Sequence, residues 1–189
     1  MNTVKQKSSI RELAYVGLSA ALISVCAWIA VPLPSGISFT MQTFAVCAVS
    51  GLLGWKRGLT AVTVYLLIGF VGLPVFSGFR SGAGLLMGAT GGYLIGFLFM
   101  APCIGFLTER FRSRFSVLIF SMILGEVLLY LFGTVWFVTV YAAKTGPIGY
   151  QAAFAMCVAP YLIPDAVKIA LSAILVRRLS PYLKVNTEQ

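Results

Sequence analysis

The amino-acid sequence predicts an all-α membrane protein in which the whole chain, residues 1–189, forms a single bundle of six transmembrane helices. Two observations predict this fold class. Only 10% of the residues are charged and 59% are hydrophobic, and apolar runs near the length of about 20 residues that a membrane-crossing helix needs recur along the chain. These runs predict spans at residues 13–33, 39–55, 58–73, 85–107, 115–141 and 151–177.

The positions of the basic residues predict how the bundle is oriented in the cytoplasmic membrane. The net charge of +9 does not indicate nucleic-acid binding, because the basic residues form short clusters between apolar runs, as in loops that face anionic lipid. With the N-terminus inside, the outer loops hold only Arg80 and Lys144. The cytoplasmic segments then hold Lys5, Lys7, Arg11, Lys56, Arg57, Arg110, Arg112, Arg114, Arg177, Arg178 and Lys184. This asymmetry predicts that both termini are cytoplasmic.

The first apolar run is expected to be a transmembrane helix. It is too long for the hydrophobic region of a signal peptide and lacks a convincing cleavage site. It carries Gly17 and Ala21, one helical turn apart. Small residues at this spacing let a second helix approach closely, so we expect this face to contact a helix of this chain or of a partner.

Glycine recurs at every fourth position around the start of the fourth predicted span, at Gly84, Gly88, Gly92 and Gly96. The spacing predicts a smooth helix face for close packing. The stretch GATGGY, which begins at Gly88, contains adjacent glycines, a threonine and a tyrosine that helix packing alone does not require. Its backbone at Gly91 is open to a ligand, and Thr90 and Tyr93 supply hydroxyl groups.

Three ionisable residues lie inside predicted spans, namely Glu126, Asp165 and Lys168. A charge at the bilayer centre costs at least about 2.5–3.5 kcal/mol unless it is paired or faces a polar cavity, so we expect these residues to be functional. Asp165 and Lys168 are three residues apart and share a helix face near the middle of the membrane. A self-neutralising ion pair is the alternative, but such pairs rarely add stability over packed apolar residues.

Two prolines predict a break in the sixth span. Pro160 and Pro164 precede Asp165, and proline either breaks a helix or starts one. We therefore expect a short outer segment at residues 151–159, followed by a helix that begins near Pro164. Its first turn would face an outward-opening cavity, as half-helices do in transporters.

Glu126 shares a face of the fifth span with Tyr130, Gly133 and Phe137. It either forms a hydrogen bond within the bundle as a neutral acid or contacts a ligand, and the sequence favours neither reading.

Catalytic and metal-binding functions find no support in the sequence. The chain contains no histidine, which removes the commonest metal ligand and the commonest general base. Its cysteines lie in apolar stretches without a CxxC pair, so we expect small buried hydrophobic residues at Cys26, Cys47, Cys103 and Cys157. We predict no catalytic residue, metal or cofactor.

Six stretches follow one another over most of the chain. In order they are PLPSGISFTMQT, GLLGWKRG, IGFVGLPVFSG, GATGGYLIGF, GEVLLYLFGTVW and PYLIPDAVK. Together they resemble the BioY family, the biotin-specific substrate-binding components of energy-coupling factor (ECF) transporters. The chain departs from the family pattern at Ala89, where proline is common, and at Gly17, where the usual alanine pair of the first helix reads Gly-x-x-x-Ala.

The resemblance implies a six-helix protein that binds biotin from the outside and has no enzymatic activity of its own. It implies as partners a transmembrane coupling protein and two ABC-type ATPase subunits, whose ATP hydrolysis drives reorientation and release. The small-residue face with Gly17 and Ala21 would dock on the coupling protein. Asp165 and Lys168 match the family's ligand-contacting residues, and the further candidates are Arg80, Gln42 and Thr43.

The chemistry of biotin fits these residues. Asp165 would accept from a ureido N–H and Lys168 would donate to the ureido oxygen, and charge-assisted hydrogen bonds of this kind are strong in a dry pocket. Arg80 is the candidate for the valerate carboxylate, on a loop that would close as a lid. Apolar walls are expected from Tyr93, Tyr130, Trp136 and Phe79.

Other functions are weighed on the same residues. A different vitamin, or a precursor such as dethiobiotin, would need the same kind of pocket, and a stand-alone carrier or channel remains open because this chain reveals no motor. An intramembrane hydrolase would need a nucleophile with a base, or two facing carboxylates. The chain has no GxSG motif on a span, and Glu126 and Asp165 form no evident dyad.

Overall fold

The computed structural model describes residues 2–32, 38–111 and 114–183, and of residues 2–9 and Lys144 it describes the backbone alone. Arg112, Lys184 and the side chains of Lys5 and Lys7, which entered the predicted orientation, lie outside the described residues. The helices within these ranges are α1 (Asn2–Trp28), α2 (Gln42–Val71), α3 (Ala83–Leu86), α4 (Gly91–Arg110), α5 (Phe115–Thr145), α6 (Tyr150–Cys157) and α7 (Leu162–Leu179).

Four helical stretches are long and apolar enough to cross a membrane, namely Ile10–Trp28, Gly91–Arg110, Phe115–Ala143 and Tyr150–Leu179. The last of these combines α6 and α7. The mostly helical, multi-pass membrane protein that the composition predicts is therefore confirmed.

Helix α2 occupies the second and third predicted spans without an intervening loop. At Gly54 its backbone leaves the helical region, with φ 78° and ψ −176°, a conformation that is nearly confined to glycine. A Cβ atom on Gly58 would lie 3.1 Å from the Cα atom of Ser50, whereas residues eight apart in a straight helix are about 12 Å apart. Helix α2 therefore folds back at Gly54 into two segments, residues 42–53 and 55–71.

Two polar contacts attach this turn to neighbouring helices. Glu109, near the end of α4, accepts a hydrogen bond from the backbone N–H of Trp55 at 3.2 Å. Arg57 forms an ion pair with Glu12 of α1 at 2.9 Å. Exposed ion pairs contribute about 0–1 kcal/mol, so the Arg57–Glu12 contact orients the helices more than it stabilises them.

The main core lies between α2, α4, α5 and α7. Helix α1 packs against α2 and adds Ala20 and Ile23 to it. The other fully buried members include Met100 and Ile104 of α4, Leu118 and Met122 of α5, and Val176 of α7. A smaller cluster around Phe137 and Ala153 packs α6 against α5. Three of the cysteines are buried and Cys103 is half-buried, in agreement with their predicted role as small hydrophobic residues.

Three predicted boundaries need correction. Helix α1 ends at Trp28 rather than at residue 33, and a pair of two-residue antiparallel strands follows it, Ala30–Val31 with Phe39–Thr40. The second span begins after these strands, at Gln42. The fourth span is split by a turn at residues 87–90 between α3 and α4. Strands this short give no recognisable alternation in a sequence.

The predicted glycine face is also corrected by this split. Gly92 and Gly96 lie in α4 and pack against Trp136 and Leu129 of α5. Gly84 belongs to α3 and Gly88 to the turn, so the four glycines do not share one helix face. The close packing of α4 against α5 rests on the second pair.

We expect Gly105→Ala to destabilise the bundle, because a Cβ atom at this position would overlap the backbone of Gly54 and Trp55 where α4 crosses the turn of α2. Backbone atoms cannot move aside as a flexible side chain does, and overpacking of this kind costs about 1–3 kcal/mol. Thermal unfolding of the purified protein in detergent should show a midpoint lower by roughly 2–10 °C.

Gly149→Ala is the matched control, because φ is −72° there and no atom lies within 4 Å of the added methyl group. We expect its unfolding midpoint to equal that of the unchanged protein. Equal midpoints for both variants would contradict the close approach of α4 to α2.

Candidate ligand-binding site

A cavity opens at the end of the bundle where α2, α4 and α7 begin. The first turns of these helices, the middle of α5 and the loop after α2 form its walls. Its empty space, including open solvent at the mouth, is about 770 Å³. The cavity brings together all the predicted ligand-binding residues except Gly91, namely Gln42, Thr43, Arg80, Thr90, Tyr93, Glu126, Tyr130, Asp165 and Lys168.

The start of α7 brings two charged side chains to this cavity. After α6 the chain passes through a 3₁₀ turn, Ala159–Tyr161, and α7 begins at Leu162. The predicted break in the sixth span is therefore present. Pro164 lies in the first turn of α7, where a missing N–H removes no hydrogen bond from the helix. Asp165 is 5% exposed and Lys168 is 4% exposed.

Asp165 and Lys168 contact each other and two neighbouring helices. Lys168 Nζ lies 2.7 Å from Asp165 Oδ1 and 3.2 Å from Thr43 Oγ1 of α2. The Thr43 hydroxyl donates to the same carboxylate oxygen at 3.4 Å, and the Tyr130 hydroxyl of α5 donates to Oδ2. These partners offset part of the cost of burying the two charges.

Phe39, in the second strand, covers the ammonium group of Lys168. Nζ lies 4.0 Å from the centre of the ring, a cation–π contact that is worth about 2 kcal/mol when desolvated. The strand also brings Thr40 to the cavity, next to Ser38. These three residues were missed because the predicted second span treated residues 39 and 40 as helix.

Gln42 lines the cavity, but its amide group is already engaged. Its Nε2 donates to the Tyr65 hydroxyl at 2.5 Å, and its Oε1 accepts from the Thr40 hydroxyl at 3.0 Å. The Tyr65 ring meets Phe76 edge-on, and Phe76 is fully buried. Through these contacts the first turn of α2 supports the loop that carries Arg80.

Arg80 lies exposed at the mouth of the cavity. Its carbonyl accepts a hydrogen bond from the Phe76 N–H at 3.0 Å, and its Nε donates to the Ser77 carbonyl at 3.0 Å. Hydrogen bonds within the loop thus involve both the main chain and the side chain of the arginine. The remaining guanidinium N–H groups leave Arg80 able to bind an anion.

Phe79, which was predicted to line the pocket, contacts α1 instead. It has a positive φ of 57° and stacks on Trp28, with the ring centres 5.1 Å apart. Trp28 Nε1 also donates to the carbonyl of Pro74 at 2.9 Å. The loop is therefore held against the C-terminal end of α1.

The start of α4 is held by contacts to α5. The Tyr93 hydroxyl lies 3.2 Å from Thr134 Oγ1. Trp136 Nε1 donates to the carbonyl of Gly88 at 3.0 Å, so this tryptophan fixes the turn before α4 and does not line the cavity. Gly91 donates its N–H to the same carbonyl and packs against the backbone of α3, outside the cavity.

Glu126 projects from the middle of α5 into the cavity and is only 4% exposed. Neither of its carboxyl oxygens has a hydrogen-bond partner among the described residues. The predicted shared face of α5 is present, because Tyr130 also faces the cavity and Gly133 packs against Tyr93. The alternative reading, in which Glu126 bonds within the bundle as a neutral acid, would have Asp165 of α7 as its partner, because that side chain lies close enough to interact with Glu126.

Residues that were not among the predicted ligand contacts complete the cavity. Phe97 lies one helical turn after Tyr93, and this spacing could have identified it. Cys157 is buried, as predicted, and also faces the cavity. In the parts of the chain that the structure describes, no three His, Cys, Asp or Glu side chains converge as metal ligands. The remaining wall residues are Ser77, Leu85, Leu94, Leu129 and Tyr161.

Gly17 and Ala21 lie on an exposed face of α1, remote from the core. No atom lies within 4 Å of a Cβ position on Gly17. No helix within the described ranges covers this face. Large apolar side chains surround the two small residues, namely Leu13, Leu18, Leu22 and Val25.

Comparison with known proteins agrees with this geometry. The chain matches the BioY family over residues 1–185. It is 37% identical over 170 residues to the biotin transporter BioY of Thermotoga maritima, across 90% of this chain and 96% of that protein. It is 33% identical over 180 residues to the biotin transporter BioY of Rhodobacter capsulatus, across 91% of this chain and 94% of that protein.

A solved structure shares the fold. The crystal structure of the S-component for biotin from an ECF-type ABC transporter superimposes with a TM-score of 0.82, at 24% sequence identity, across 96% of this chain and 95% of that one. At this identity the superposition establishes the fold, and the relatives establish the family. This chain belongs to the BioY family.

Proposed function

We propose that this chain is the biotin-binding substrate-specificity component of an ECF-type vitamin uptake transporter. The observation that carries the proposal is the buried Asp165–Lys168 pair, which lines a cavity that is open at its mouth in a member of the BioY family. The relatives named as biotin transporters support biotin as the ligand. The chain would act as a binding protein without enzymatic activity.

Six membrane crossings follow when the two segments of α2 are counted separately, together with α1, α4, α5 and the combined α6–α7. The basic residues support an orientation with the cavity outside. They stand at the turn of α2, at the end of α4, before α5 and at the end of α7, whereas the cavity lies where α2, α4 and α7 begin. Clusters of this kind mark the cytoplasmic side.

The ureido ring of biotin suits the charged wall of the cavity. Lys168 would donate to the ureido oxygen and Asp165 would accept from a ureido N–H. Such charge-assisted bonds are strong in a site that excludes water. The thiophane ring and the aliphatic tail would contact the apolar wall, where Leu94, Phe97 and Leu129 lie.

Two features near the mouth suit the anionic valerate tail. Arg80 offers N–H groups directly. The first turns of α2, α4 and α7 also line the cavity, and each helix start carries a partial positive charge. A carboxylate placed between Arg80 and the helix starts would be stabilised by both.

Transport would require partner subunits. A transmembrane coupling protein would dock on the Gly17/Ala21 face of α1, where the two small residues leave a gap between larger apolar side chains that allows close helix contact. Two ABC-type ATPase subunits would supply the energy for reorientation and release.

The purified protein should bind biotin, and Asp165→Asn and Lys168→Ala should each weaken this binding roughly 30-fold or more, because each change leaves a buried partner uncompensated. Isothermal titration in detergent measures the affinity, and mass spectrometry of the purified protein checks for bound biotin. Titration with dethiobiotin and with other vitamins tests the choice of ligand.

Lys56→Ala and Glu12→Gln are the controls, since both alter exposed charges far from the cavity. They should bind biotin as the unchanged protein does. Tight binding of another vitamin with none of biotin would overturn the assignment, and full binding by both site variants would give the pair a purely structural role.

Arg80→Gln should weaken the binding of biotin about threefold to tenfold, because an exposed arginine contributes less than a buried one. Biotinamide, whose tail is neutral, should lose little affinity in the same variant. Arg178→Gln, at the opposite end of the bundle, serves as the control. An equal loss for both ligands would show that Arg80 does not meet the carboxylate.

Gly17→Leu and Ala21→Leu should prevent assembly with the coupling protein and abolish ATP-driven biotin uptake, because a bulky side chain separates the two helices. Biotin binding by the isolated chain should be unchanged. Ala170→Leu places the same bulk on an exposed position of α7 and should assemble normally. Normal assembly of all three variants would move the docking surface elsewhere.

A further inference from the structure

Glu126 is a buried ionisable group of the cavity that the interactions described above leave unused. Both carboxyl oxygens are buried and lack a hydrogen-bond partner among the described residues. Its neighbours on α5 provide none, because Met122, one turn earlier, is apolar and Tyr130, one turn later, donates to Asp165. Asp165 of α7 lies close enough to interact with Glu126, but both of its carboxylate oxygens already accept hydrogen bonds. A buried polar group without a partner is costly, so its position points to a ligand that supplies one.

The two buried charged groups of α7 have little hydrogen-bonding capacity left. Asp165 already accepts from Lys168, Thr43 and Tyr130, and a carboxylate offers about four acceptor positions. Lys168 has three N–H donors, and two of them are directed at Asp165 and Thr43. The three buried ionisable groups therefore offer a ligand one donor on Lys168, one acceptor position on Asp165 and the whole carboxyl group of Glu126.

A cyclic urea has the complementary set of groups, one carbonyl oxygen between two N–H groups. We infer that Glu126 accepts a hydrogen bond from one ureido N–H of the ligand, while Asp165 accepts from the other and Lys168 donates to the oxygen. The inference rests on the proposed function and makes Glu126 a specificity-determining residue. A ligand that lacks either N–H leaves one buried carboxyl group unpaired, which is the strongest form of discrimination a binding site has.

Two isosteres of biotin test this assignment, cyclic carbamates in which one or the other ring N–H is replaced by oxygen. Isothermal titration of biotin and both carbamates is carried out with the unchanged protein, with Glu126→Leu and with Glu126→Gln. Glu126→Leu should weaken the binding of biotin about 10-fold to 100-fold, the usual range when a buried donor is left without its hydrogen-bond partner. In the Glu126→Leu variant, the carbamate that retains the N–H facing residue 126 should lose affinity by the same roughly 10-fold to 100-fold.

The carbamate that lacks this N–H should lose less than about threefold, because it has no bond to Glu126 to lose. Glu126→Gln keeps the size of the side chain and one carbonyl acceptor, so it should show the same pattern at about threefold to tenfold. This variant decides the question if leucine prevents folding, which size-exclusion chromatography checks.

Equal losses for all three ligands in Glu126→Gln, or no loss for any, would overturn the inference. The proposed function would still stand, because the unchanged protein binds biotin. If the unchanged protein binds neither biotin nor the carbamates, the proposed function itself fails and the role of Glu126 falls with it. The two failures are therefore distinguishable.

Discussion

Two opposite charges buried side by side in an apolar bundle impose the constraint on which the rest of this structure depends. Burial of Asp165 and Lys168 costs several kcal/mol per ion, and only fixed partners offset it. Those partners come from separate elements: Thr43 from α2, Tyr130 from α5 and Phe39 from the strand pair. Because all of them must reach the first turn of α7, these elements meet there, and their meeting encloses the cavity.

The interruptions between helices shape the cavity as much as the helices do. The chain turns before α4 at residues 87–90 and before α7 at Ala159–Tyr161, and the strand pair precedes α2. Each interruption ends at a helix start, where backbone N–H groups have no partner within the helix. Three helix starts around one space create a positive potential without any additional side chain.

Composition and residue spacing predicted the features that depend on short stretches of the chain. Composition was sufficient for the membrane helices, and a spacing of three was sufficient to place Asp165 and Lys168 on one face. The split before α4 was not predictable, because it depends on Trp136, whose indole bonds the Gly88 carbonyl 48 residues away in sequence. For the same reason the sequence placed Glu126 on the correct face but left its role open. Which buried groups already have partners is decided by tertiary contacts.

The fold-back of α2 at Gly54 also determines the thickness of the closed side of the protein. The segment of residues 42–53 starts in the cavity and rises about 18 Å, against a hydrocarbon core of about 30 Å. A bound molecule is therefore separated from the opposite solvent by roughly three helical turns of packed side chains, held in part by the Ser172 hydroxyl on the Phe44 carbonyl. Passage of a ligand from the cavity to the other end of the bundle would therefore require about three helical turns of packed side chains to open.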